Sequence, residues 1–161
     1  MAARAEREMP AGDGGEIGRT AELLGGSRVL HRRLRDSLDV HEVLSRGLPR
    51  QALTHLVGKV RVLGQQAVLE RGIGVSLRTS QRFKLTPDKP LSPEQSGRVW
   101  KFAEILAKAT AVLGSQEEAE QWLERPAMAL DQRRPIDLLA TPAGAKLVET
   151  LLGRIEYGVY T

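Results

Sequence analysis

Apolar residues return along this chain at intervals of three and four, and sustained alternation is scarce, so the pattern predicts helices throughout. The clearest run begins at Ser92. Pro93 occupies the first helical position, Gln95 can complete a capping box, and Val99, Ala103, Leu106, Thr110 and Leu113 recur at helical spacing as far as Gly114. About 21 residues make a helix roughly 30 Å long, enough to bridge the two halves of the chain. Ser115 opens a shorter acidic helix with Ala119, Trp122 and Leu123, where Trp122 reads as a core anchor, and Thr141-Pro142 starts a last one whose stripe is Leu147, Val148, Leu151, Leu152 and Ile155.

Upstream the pieces are short. Thr20 to Leu24 is stopped by Gly25-Gly26. Ser27 then caps Arg28 to Leu34, Ser37 begins a helix with Leu38, Val43 and Leu44 inward, and Pro49 precedes Ala52, Leu53 and Leu56. Lys59 to Leu63 alternates like a strand. With no partner strand it reads as a connector, and the fold class is all-α.

That connector leads into Leu63 to Lys84, which has the grammar of a helix-turn-helix. Gln65 to Arg71 forms the first helix with Ala67 and Val68 available for packing, Gly72 and Gly74 permit the reversal, and Ser76 caps the second helix, Leu77 to Lys84. Arg78, Arg82 and Lys84 are cationic, while Thr79, Ser80 and Gln81 carry short or amide groups that reach base edges or phosphates. This is the chemistry of a recognition helix. Because a single such helix reads few base pairs, a homodimer on a palindromic operator is expected.

Charge sharpens that reading. The 161 residues carry a net charge of +4, distributed as −1 over residues 1–45, +8 over 46–108 (twelve Lys/Arg against four Asp/Glu) and −3 over 109–161. The positive excess thus coincides with the helix-turn-helix, where a polyanion would be drawn. Absence of cysteine excludes disulfides and thiolate zinc sites, and His31, His41 and His55 lie on different elements without clustered carboxylates, so no metal and no cofactor is expected. Catalysis needs convergent groups, and the chain has no Ser/His/Asp set and no nucleotide fingerprint; Gly12-Asp13-Gly14-Gly15 lacks the strand and the Gly-Lys-Ser/Thr of a phosphate loop. No apolar run approaches the roughly 20 residues of a membrane helix. The expectation is a non-enzymatic cytoplasmic protein with no membrane partner.

The C-terminal half carries a resemblance. Trp122-Leu123, Arg125-Pro126, Leu130, Arg134-Pro135-Ile136-Asp137-Leu138-Leu139, Thr141-Pro142, Gly144 and Leu151 to Gly158 resemble the toxin-binding domain of the Xre/MbcA/ParS antitoxin family, and Gly47-Leu48-Pro49, Arg78-Thr79, Arg82 and Leu91-Ser92-Pro93-Glu94 resemble its Xre-like helix-turn-helix domain. The chain departs from the pattern at Asp131-Gln132, where the family has a glycine-containing turn, and in its N-terminal extension. Residues 1–17 are small, charged and Gly-rich with no periodic apolar face and read as a flexible tail; the resemblance implies a DNA-binding domain over 18–108 and a toxin-binding domain over 109–161. It further implies an antitoxin that masks the active site of a cognate RES-domain toxin, which consumes NAD⁺ or transfers ADP-ribose from it, and that represses its own operon through operator DNA.

The acidic C-terminal third fits a protein partner better than DNA. Arg154, Glu156, Tyr157, Tyr160 and Thr161 are the expected toxin contacts, because tyrosine gives large contact area at small entropic cost and a terminal carboxylate can mimic an anionic substrate group. The same tyrosines could instead pack on the last helix. A dimeric helix-turn-helix transcriptional regulator without a toxin partner is the alternative, and an adaptor whose bihelical corner never touches DNA is a third reading.

Overall fold

The computed structural model describes residues 15–158. Ten α-helices follow one another in that span: α1 (Glu16–Leu23), α2 (Gly26–Leu30), α3 (Ser37–Arg46), α4 (Arg50–Lys59), α5 (Gln66–Gly72), α6 (Leu77–Phe83), α7 (Pro93–Leu113), α8 (Gln116–Glu124), α9 (Pro135–Leu138) and α10 (Pro142–Glu156). Among the described residues there is no strand, only isolated bridges at Pro49 with Pro90 and at Ala127 with Arg133. The all-α expectation holds.

The fold is arranged around α7. Ser92 Oγ accepts from the Gln95 backbone amide and Gln95 Oε1 accepts from Ser92 N, so the capping box forms as its sequence predicts. Val99, Trp100, Phe102, Ala103, Ile105, Leu106, Ala107 and Ala109 are all buried, because α7 is packed by α1 and α3 from the N-terminal half and by α8 and α10 from the C-terminal half. A helix covered on several sides needs apolar residues on most of its circumference.

The short helices differ from expectation in instructive ways. Part of the expected tail is helical: α1 starts at Glu16, with Thr20 fully buried and its hydroxyl donating to the Glu16 carbonyl. Residues 1–14 lie outside the described residues. Instead of reaching Leu34, α2 stops at Leu30, with His31 in the left-handed region at φ 57°. Asp39 supplies the reason. Its carboxylate accepts from Arg35 N at 2.9 Å and pairs with Arg32 at 2.8 Å, holding the 31–36 segment out of the helix while Leu34 stays buried. Those contacts hold the Asp39 carboxyl below its ordinary range, the Arg35 amide foremost. They also turn Asp39 inward, so Leu38 is 65% exposed and not part of the core as expected. As expected α3 begins at Ser37, and Asp36 caps it.

Lys59 to Leu63 is a connector: α4 ends at Lys59 and a 3₁₀ turn over Arg61–Gly64 carries the chain to α5. On α5 the buried pair is Val68 and Leu69, while Ala67, expected to pack, is exposed. Likewise Leu147, expected in the buried stripe of α10, is 56% exposed; Val148 and Leu152 are buried, with Leu151 and Ile155 between. At Asp131-Gln132 both residues adopt left-handed conformations, φ 57° and 62°, so the tight turn forms without glycine.

Gly144 shows how closely α9 meets α10. A Cβ there would collide with the Leu138 carbonyl oxygen and come within 2.9 Å of its carbonyl carbon, and backbone cannot rotate away as a side chain can. Gly144→Ala is expected to lower stability by about 1–3 kcal/mol through overpacking, read as a lower denaturation midpoint; an unchanged midpoint would mean that the two helices separate freely.

Candidate functional site

The helix-turn-helix is built from α5, a turn at Ile73–Ser76, and α6. Ile73 and Val75 bury their side chains, while Gly74 between them takes φ +78°. A Cβ at Gly74 would strike the Arg98 guanidinium, which lies over the turn and donates from Nη2 to the Arg71 carbonyl at 2.7 Å. Arg98 thus satisfies a free carbonyl at the end of α5 from the second turn of α7. Sequence reading missed it because nothing local marks a clamp 27 residues away.

At the start of α6, Ser76 Oγ accepts from Thr79 N at 3.0 Å and donates to Thr79 Oγ1 at 2.9 Å. Leu77 packs against the core, and Ser80 and Phe83 are buried on the same inner face. That placement corrects the expectation for Ser80: at 3% exposure its hydroxyl faces inward, three residues before Phe83, and cannot reach a nucleic acid. Arg78, Gln81 and Arg82 are exposed on the opposite face at i, i+3 and i+4, with Lys84 just beyond the helix end. Thr79 is half-buried and engaged with the cap. The outward stripe continues to Leu85, 83% exposed seven residues after Arg78, which the charge-based reading passed over.

Two contacts lock the far end of α6. Arg50 lies over the Phe83 ring at 4.3 Å and donates to Thr86 Oγ1 at 2.6 Å. Carbonyls of Pro87 and Lys89 accept from the first amides of α4. The recognition-type helix is therefore held at its start by its cap, at its end by Arg50 and on its inner face by the core.

The second surface is the last turn of α10. Arg154 and Glu156 are exposed, and Tyr157 is 81% exposed, so that tyrosine does not pack back on its own helix. Tyr160 and Thr161, named with them from sequence, lie outside the described residues. Earlier on the helix Leu147 adds an exposed apolar residue. Lys101 joins α7 to α10 through Glu149 at 2.8 Å and also contacts Glu104 on its own helix at 2.7 Å.

Asp137 ties α9 to the end of α5. Arg134 donates to both its oxygens at 2.9 and 3.0 Å, and Arg71 at the end of α5 reaches it at 3.4 Å. Hydrogen bonds from Arg134 first, then its charge and that of Arg71, hold the carboxyl below the usual range against the opposing effect of burial. This is a structural knot and not a catalytic acid. Among the described residues no His/Cys/Asp/Glu group could hold a metal ion, and no helix is long and apolar enough to cross a membrane.

Comparison with known proteins adds what geometry cannot. Residues 39–104 match the antitoxin Xre-like helix-turn-helix domain, and residues 108–158 match the antitoxin Xre/MbcA/ParS C-terminal toxin-binding domain. Antitoxin Xre of Pseudomonas putida is 32% identical over 146 residues, covering 86% of this chain and 91% of that protein. Antitoxin Xre of Yersinia enterocolitica is 33% identical over 97 residues, or 60% of this chain and 65% of that protein. A protein of a Sphingobium strain named Prs ADP-ribosylating antitoxin is 26% identical over 127 residues, 73% of this chain and 78% of its own.

Proposed function

This chain belongs to the Xre/MbcA/ParS antitoxin family, a non-enzymatic class, and from that premise we propose that it neutralises a RES-domain, NAD-consuming toxin by laying its C-terminal segment over the toxin's active site. The observation that carries the reading is the exposed last turn of α10, where Arg154, Glu156 and Tyr157 stand free at the end of the span matching the toxin-binding domain. An NAD⁺ site must hold a pyrophosphate and is therefore electropositive, so the exposed carboxylate of Glu156 suits it. The Sphingobium relative's name, an ADP-ribosylating antitoxin, supports NAD⁺ chemistry in the partner. Through Arg78, Gln81, Arg82 and Lys84, with Thr79 and the Ser76 cap ordering the helix start, the protein represses its own operon as a homodimer on operator DNA.

Co-expression with the product of the neighbouring gene, followed by co-purification and an NAD⁺-consumption assay, tests this. A stable complex in which consumption is suppressed is expected, and a chain ending at Glu156 should lose most of that suppression while still binding DNA. If full-length protein forms no complex and suppresses nothing, the masking reading fails.

A further inference from the structure

Where the toxin-binding domain meets the helix-turn-helix, the contact is polar and directed at backbone. Gln116 Nε2 on α8 donates to the Lys59 carbonyl at 2.9 Å, at the last residue of α4. One turn on, Glu120 Oε1 accepts from the Val62 amide at 2.9 Å, inside the 3₁₀ turn that precedes α5. Gln116 Nε2 also donates to Glu120 Oε2 at 3.2 Å, so each side chain fixes the other, and Gln65 Nε2 reaches Glu124 Oε1 at 3.5 Å. Positions 116, 120 and 124 repeat every four residues, presenting one face of α8 to the corner between α4 and α5.

That corner needs outside partners. The Lys59 carbonyl, at the exposed end of α4, has no helical donor, and Val62 is 4% exposed, so its amide is poorly served by water. The corner's side chains are anchored, since Val60, Val62 and Leu63 are buried, but its backbone direction is set by what the polar groups bind. A carboxylate accepting from an amide is stronger than a neutral acceptor.

We propose that Glu120 and Gln116 are positioning residues for DNA binding: by completing the backbone of the Lys59–Gln65 corner they fix the direction in which α5 and α6 leave it. The proposal rests on α6 being the DNA-contacting helix. It makes the helix-turn-helix dependent on a helix of the toxin-binding domain, so that the DNA-binding unit extends past residue 108.

The full-length chain tests this with Glu120→Ala, Glu120→Gln and Gln116→Ala, using fluorescence anisotropy with a duplex from upstream of its own coding sequence, hydrogen exchange at the Val62 amide and thermal unfolding. Glu120→Ala should weaken duplex binding about tenfold and speed exchange at Val62. Glu120→Gln keeps an Oε1 acceptor and should recover most of the loss, which a general loss of stability would not allow; Gln116→Ala should show a smaller effect in the same direction. If Glu120→Ala does not fold, Gln116→Ala, whose side chain is part-exposed, carries the test. Wild-type binding and exchange in Glu120→Ala would overturn the positioning role, as would Glu120→Gln binding no better than Glu120→Ala. A wild-type chain that binds no duplex overturns the DNA reading itself, and the positioning role with it.

Discussion

Phe102→Ala is expected to lower stability by about 3–5 kcal/mol, a fifth or more of the roughly 5–15 kcal/mol that a domain has in reserve. Phe102 is 2% exposed at the centre of α7, and a Cβ on Gly72 would lie 3.4 Å from its ring, so the ring is the surface on which the end of α5 rests. Alanine leaves a cavity that neither helix can fill by rotation, because α7 is also held by α1, α3, α8 and α10. For a chain of this size, a fall of about 10 °C in the midpoint of thermal unfolding follows. Circular dichroism checks it. A fall of less than about 2 °C would place the ring outside the cooperative core. Because the cavity opens directly beneath α5, duplex binding should fade at temperatures where the rest of the helical signal persists.

The difference between α7 and the shorter helices shows what sequence can convey. A 21-residue helix with Ser92, Pro93 and Gln95 at its start and Gly114 at its end carries enough local information to be located to the residue. By contrast, α2 ends at Leu30 because Asp39, eight residues beyond His31, binds the Arg32 and Arg35 region, and no local rule encodes that. Periodicity also cannot say how wide a covering neighbour is. On α10 the apolar stripe predicts burial from Leu147 to Ile155, yet its cover is α7 and the single-turn α9, which leave Leu147 exposed.

The candidate surfaces were partly legible for the same reason. Arg78, Gln81, Arg82 and Lys84 are exposed as charge and amide chemistry suggests, since polar residues at helical spacing opposite Leu77 and Phe83 have one place to go. Ser80 was misjudged because a small hydroxyl is at home on either face, and its position three residues before Phe83 decides the matter. Arg98 over the turn, Arg71 on Asp137 and Glu120 on Val62 join residues 27, 66 and 58 positions apart, and sequence spacing is silent at such distances.

Arg78→Ala with Arg82→Ala is expected to weaken operator binding by about thirtyfold or more, since each guanidinium contact is worth about 1–3 kcal/mol. Both are exposed, one turn apart on the outer face of α6, and among the described residues neither has a hydrogen-bond or ion-pair partner. Their removal therefore costs no internal contact, and the unfolding midpoint should stay within the range of ordinary surface substitutions. The salt dependence separates their roles. If both neutralise phosphates, the slope of log affinity against log salt should shrink by about 1.8, and operator and unrelated duplexes should be weakened alike. A base contact instead would erode the preference for operator while leaving the slope nearly unchanged. Anisotropy titrations over a range of salt, on both duplexes, distinguish these outcomes. Unchanged affinity and slope in a folded double variant would remove α6 from the interface, because no other arrangement of so basic a helix on a polyanion leaves two unpaired guanidinium groups without effect.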